Sequence, residues 1–153
     1  GLVYSDMVTT GSNTYANEIQ TSLLGHGLDG VLRKYEDKLV GIQNGMKYEK
    51  YDPAIDPVIV HNYPIDTFEE GKRINKKALE DHFGGTDVEG PAYGMVSRFS
   101  EQKGLDILIY AIEKLCRVED AKFYFLGTGE HYYETKLLEL SHRFPDKVFI
   151  RVG

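Results

Sequence analysis

An α/β fold built on a parallel sheet with flanking helices is predicted by three features of the sequence. Residues 122–126, KFYFL, form a continuous apolar stretch, too short for a helix and not alternating, as a parallel strand covered on both faces requires. On either side of it, Leu105, Leu108, Ile112, Leu115 and then Tyr133, Leu137, Leu140, Phe144 recur at helical spacing. Short strand-type runs at 92–97 and 147–152 frame these two stripes. Together they give β-α-β-α-β, half of a doubly wound sheet.

Upstream the pattern is less regular. Met7 to Thr10 reads as a strand, and Ser12 as the N-cap of a helix through Tyr15 and Ile19. Lys38 to Ile42 reads as a further strand. Residues 51–66, YDPAIDPVIVHNYPID, contain three prolines and read as a linker between units. Glu69 to Phe83 has the charge of a surface helix, stopped by Gly84-Gly85. After Ala92 to Ser97 comes the loop RFSEQKG, residues 98–104. After KFYFL comes GTGE, residues 127–130, and Pro145 closes the last helix. Right-handed crossovers set both loops at the carboxyl edge of the sheet, where open α/β sheets bind ligands.

The composition is that of a soluble globular protein, with 41% hydrophobic and 27% charged residues. No apolar run approaches the roughly 20 residues that span a bilayer. A net charge of −6 and the lack of a lysine-arginine cluster speak against nucleic-acid binding. The single cysteine, Cys116, allows no intrachain disulfide and sits in an apolar helical pattern, the setting of a buried structural thiol. GLVYSDMVTT does not read as a signal peptide. It reads as mid-chain, and KVFIRVG as a strand lacking its next helix, so both ends are expected to be cuts in a longer chain.

Arg98 and Lys103 are the leading candidate site residues. Composition alone leaves open a solvated turn or an anion clamp. Their place in a βα loop favours the clamp, because N–H groups of the following helix start add partial positive charge beside them. A planar guanidinium and a mobile ammonium suit a diphosphate. Gly127 and Gly129 form a glycine turn that is either chain geometry or a ligand contact, and they lack the third glycine of a dinucleotide fingerprint. Asn44, before Gly45, is a turn signal first and a ligand contact only if its loop faces a cleft. His26, His61, His82, His131 and His142 lack the paired spacing of a metal site, and no metal is implied.

Several segments together resemble the bacterial-type glycogen and starch synthases: VTTGSNTYANEIQT (8–21), GHGLDGVL (25–32), KLVGIQNGMKYEKYDPAIDP (38–57), GKRINKKAL (71–79), GMVSRFSEQKGLDIL (94–108) and FLGTGE (125–130). The matches are collinear over nearly the whole chain. The resemblance implies a GT-B glycosyltransferase, two Rossmann-like domains facing across a cleft. It implies residues 1–56 as the end of the N-terminal domain plus linker, and 57–153 as the first half of the C-terminal nucleotide-sugar domain.

The implied reaction is retaining transfer of glucose from ADP-glucose to the non-reducing end of an α-1,4-glucan, without a cofactor or required metal, in a bacterial cytoplasm or plastid stroma. By the same resemblance Arg98 and Lys103 hold the donor diphosphate and stabilise the leaving nucleotide. Gly127 and Gly129 then lie beside the nucleotide, and Asn44 near the cleft. The family pattern has proline in place of Asn13, isoleucine-aspartate in place of Met46-Lys47 and tryptophan in place of Tyr51. The family's lysine-glycine-glycine donor loop, its first-domain cleft histidine and its late acidic motif have no counterpart here, so the 153 residues are expected to be inactive alone. The alternatives are a GT-B enzyme using UDP-glucose, a non-catalytic nucleotide- or glucan-binding fragment, and a half sheet that binds nothing.

Overall fold

In the computed structural model, which describes residues 1–84 and 90–153, the chain divides into two units, Gly1–Asp52 and Pro53–Gly153. In the first, β1 (Val8–Thr10) leads into α1 (Asn13–Glu18). The Ser12 hydroxyl accepts the Tyr15 N–H at 3.0 Å, the N-cap bond expected of serine before a helix. A short α2 (Asp29–Lys34) follows, braced by an Asp29–Arg33 pair at 2.8 Å, and leads to β2 (Leu39–Gly41). β1 and β2 pair in parallel, Val8 opposite Leu39 and Thr10 opposite Gly41. A single turn of helix, α3 (Tyr48–Tyr51), closes this unit. Ala16 and Leu32 are its buried apolar residues among those described.

The second unit begins with the proline-containing segment, which is held down by side-chain amides rather than by regular structure. Asn62 donates to the Pro53 and Asp56 carbonyls at 3.0 and 2.7 Å. Asn75, on α4 (Phe68–Phe83), donates to the His61 carbonyl at 2.7 Å and accepts its N–H at 3.1 Å. α4 ends at Gly84 in the left-handed region, φ 71°, a cap that a residue with a Cβ adopts only with strain. Gly85, expected to share that stop, lies outside the described residues.

β3 (Ala92–Val96), β4 (Lys122–Gly127) and β5 (Val148–Val152) form a parallel sheet in the order β3-β4-β5, joined by α5 (Leu105–Val118) and α6 (His131–Arg143). β4 is central and buried on both faces, as its unbroken apolar run predicts. Phe123 and Phe125 face Leu105, Ile112 and Cys116 of α5 and Tyr133, Leu137 and Leu140 of α6. Leu105 and Leu137 are 0% exposed, and burial of each such side chain stabilises by about 1.5–3 kcal/mol relative to exposure. On the other face Tyr124 stacks on Phe149 at 5.1 Å and meets Phe83 of α4 at 5.3 Å.

α4 departs from the expected surface helix. Glu80 is 2% exposed and Lys122 of β4 is 1% exposed, with Lys122 Nζ 3.4 Å from Glu80 Oε1. Desolvating one such charge alone is costly, and the pair makes the burial tolerable. α4 therefore pins a charged residue against the sheet as well as covering it.

Candidate functional site

β3 and β4 run parallel, so the segments that follow them, 97–104 and 127–130, leave the same edge of the sheet. They stay joined beyond the strands. The Ser97 N–H donates to the Leu126 carbonyl at 3.1 Å, the Phe99 N–H to the Thr128 carbonyl at 3.0 Å, and the Glu130 N–H to the Phe99 carbonyl at 2.7 Å. Phe99 and Gly129 form an isolated parallel bridge.

This zipper is why glycines stand in the turn. A Cβ on Gly127, whose φ is +156°, would lie 1.9 Å from the Ser97 carbonyl oxygen. On Gly129 it would lie 2.1 Å from the Phe99 carbonyl oxygen and 2.7 Å from its nitrogen. Both glycines thus have a packing reason to be there, and the turn they make is the surface on which the RFSEQKG loop rests.

The loop is anchored at both ends by apolar side chains. Phe99 and Leu105 are 0% exposed in the core between sheet and helices. Because extended backbone alternates its side chains, Arg98 is turned away from the core that Phe99 enters. Lys103 closes a 3-10 turn, Glu101–Lys103, and Gly104 at φ 69° starts α5. Arg98 and Lys103 are both exposed, and among the described residues neither side chain has a hydrogen bond or ion pair. α5 carries no side-chain cap at its start, so its first N–H groups keep their partial positive charge, which Asp106 in the first turn partly offsets. The arrangement presents two uncommitted cations on a fixed backbone beside an uncapped helix start.

Two carboxylates at the start of α6 complete the local network. Glu134 Oε1 accepts the Thr128 hydroxyl at 2.7 Å and the Gly129 N–H at 2.8 Å. The Gly129 amide, followed by the Thr128 hydroxyl, holds the Glu134 carboxyl below its ordinary value. Glu130 Oε1 accepts the Glu101 N–H at 3.3 Å. Sequence reasoning missed both roles. The available signal was a glutamate one turn into the helix after a Gly-Thr-Gly turn.

The structure brings Arg98, Lys103, Gly127 and Gly129 into one pair of loops. Asn44 belongs to the first unit, exposed in the irregular run between β2 and α3, with no side-chain hydrogen bond among the described residues. Among the described residues no group of three or more His, Cys, Asp or Glu is placed to hold a metal, and no helix is long and apolar enough to cross a membrane.

A family model described as the starch synthase catalytic domain matches residues 1–34. The chain is 46% identical over 154 residues to a glycogen synthase of Marinomonas sp. (strain MWYL1), a match covering 100% of this chain and 32% of that protein. It is 44% identical over 149 residues to a glycogen synthase of Lachnospira eligens, covering 97% of this chain and 31% of that one. Among solved structures, the catalytic domain of starch synthase IV from Arabidopsis thaliana, bound to ADP and acarbose, matches with a TM-score of 0.87 and 28% identity over 99% of this chain and 31% of that chain. The chain thus spans about a third of the length of the curated relatives it matches. Its parallel-sheet α/β architecture is that of part of a GT-B starch synthase catalytic domain.

Proposed function

The chain belongs to the glycogen and starch synthase family, and from that premise we propose that Arg98 and Lys103 bind the diphosphate of a sugar-nucleotide donor, ADP-glucose, and stabilise it as it leaves. The observation that carries this reading is the pair of zipped loops at the carboxyl ends of β3 and β4. They fix in place two exposed cations that have no partner among the described residues. The solved relative bound to ADP and acarbose supports a nucleotide and a glucan as the ligand classes.

In the whole protein the bond from the glucose anomeric carbon to the diphosphate breaks. A bond from that carbon to the hydroxyl at the non-reducing end of an α-1,4-glucan forms with retention, and the hydroxyl proton is lost. Negative charge builds on the departing diphosphate, so preplaced cations stabilise the transition state more than the ground state. No step needs a metal or a cofactor. Residues 1–56 are the end of the acceptor-side domain with its linker and 57–153 the first half of the donor domain. The proposed compartment is a bacterial cytoplasm or a plastid stroma.

Titration calorimetry with ADP, UDP and AMP tests the reading. Loss of one charge-assisted hydrogen-bonding partner in Arg98→Ala or Lys103→Ala is expected to weaken ADP binding about 10- to 100-fold. AMP, lacking the second phosphate, is expected to bind more weakly than ADP, and UDP binding tighter than ADP moves the donor assignment toward UDP-glucose. ADP affinity unchanged by Arg98→Ala refutes the site. The 153 residues alone are expected to elongate no glucan, and measurable elongation overturns the assignment of catalysis to the larger protein.

A further inference from the structure

The bonds of Glu134 are in the wrong place for an ordinary helix cap. A capping side chain serves N–H groups of the first helical turn, or reaches back from the third helical residue to the N-cap. Glu134 is in the first turn of α6, but its partners, Thr128 and Gly129, lie before the N-cap residue Glu130, which itself makes no side-chain cap. Its carboxylate therefore braces the β4–α6 turn and does nothing for the helix N–H groups.

What that turn holds is the loop bearing Arg98. The Thr128 carbonyl accepts the Phe99 N–H, and the Phe99 carbonyl accepts the Glu130 N–H. Phe99 directly follows Arg98. The Glu130 carboxylate in turn accepts the Glu101 N–H, at the start of the 3-10 turn that ends in Lys103. From these contacts we infer that Glu134, assisted by Glu130, is a positioning residue for the diphosphate site: it fixes the 127–130 turn, and through Phe99 and Glu101 it fixes the backbone that carries Arg98 and Lys103.

This rests on the reading of those two cations as the diphosphate site. Neither glutamate touches the ligand. Because the Gly129 amide is already committed to Glu134, the anion is met by the side chains of Arg98 and Lys103 rather than by that glycine's N–H. A bare carboxylate near an anion site is unfavourable electrostatically, so its presence is explained by the geometry it enforces.

Three variants of the 153-residue chain separate geometry from charge. Glu134→Ala removes the acceptor. Glu134→Gln removes the charge but keeps an accepting oxygen. Glu134→Asp keeps the charge on a side chain one methylene shorter and stands in if the alanine variant does not fold. Amide hydrogen exchange followed by NMR is expected to quicken about tenfold at Phe99, Gly129 and Glu130 in the alanine and aspartate variants, the factor equivalent to loss of about one hydrogen bond. β5 amides stay at their parental rates, and glutamine restores the loop. ADP affinity is expected to fall about tenfold in the same two variants and to return with glutamine. Unchanged exchange in both alanine and aspartate overturns the inference. So does faster loop exchange with ADP affinity intact in a chain whose binding Arg98→Ala weakens. A parental chain that binds no ADP refutes the diphosphate reading instead, and the exchange measurement still decides whether Glu134 holds the loop.

Discussion

Gly129→Ala is expected to open the loop zipper and lower the stability of the second unit. The added Cβ would lie 2.1 Å from the Phe99 carbonyl oxygen and 2.7 Å from the Phe99 nitrogen. Bringing that carbon to ordinary contact requires the two segments to move apart by more than about 1 Å. The bonds that join them, 3.0 Å from Phe99 N to Thr128 O and 2.7 Å from Glu130 N to Phe99 O, would then exceed hydrogen-bonding distance. Two bonds at a net 0.5–1.5 kcal/mol each give a loss of about 1–3 kcal/mol, and for a domain of about a hundred residues that is a fall in Tm of roughly 10 °C. Thermal unfolding followed by circular dichroism measures it. Gly94→Ala, where an added Cβ meets nothing within 4 Å, is the reference and is expected to stay near the parent. If the two variants melt together, the zipper does not depend on the absence of a side chain at Gly129, and the geometric argument for this turn fails.

The buried Glu80–Lys122 pair gives a second test. Lys122→Met leaves the buried Glu80 carboxylate to its longer pair with Lys76 at 3.8 Å and is expected to cost up to about 3–5 kcal/mol in urea unfolding, with much of that recovered when Glu80→Leu is added; a double variant weaker than the single one contradicts this. Cys116 is 5% exposed and burial pushes its thiol up, so maleimide labelling at neutral pH is expected to be slow in the native protein and fast in urea. Equal rates in the two would place the thiol at the surface. The Glu113 carboxyl is held below its ordinary value of 4.5, first by its hydrogen bond from Arg143 and then by Arg117. Its folded value is the lower one, so its contribution is present above about pH 4.5 and is lost as pH falls through the folded value. Urea midpoints compared at neutral and acid pH are expected to converge between the parent and Glu113→Gln as pH falls, and a constant difference contradicts that.

The sheet and its two crossover helices were legible because burial leaves a periodic trace. A central parallel strand must be apolar throughout, as at Phe123 to Leu126, and a helix on one face repeats every three or four residues, as at Leu105, Ile112, Leu137 and Leu140. α2 was not legible, since six residues with a glycine among them make no stripe, and a single turn such as α3 makes none either. Glu80 read as part of a charged surface helix, because its buried partner Lys122 sits on another element. The two cations were legible from their place in a βα loop. The roles of Glu130 and Glu134 were not, because they depend on where two loops meet and no local pattern records that meeting. For Gly127 and Gly129, the choice between chain geometry and ligand contact gains a definite first half: the close approach of Ser97 and Phe99 demands glycine whatever binds nearby.

Chemical-shift mapping with ADP on the isotopically labelled chain is the measurement that decides whether the loops after β3 and β4 receive a nucleoside diphosphate. Saturable shifts are expected to concentrate in residues 98–104 and 127–130, with the midpoint moved about 10- to 100-fold higher in ADP in Arg98→Ala. Shifts confined to other surfaces, or none at saturating ADP, would contradict it.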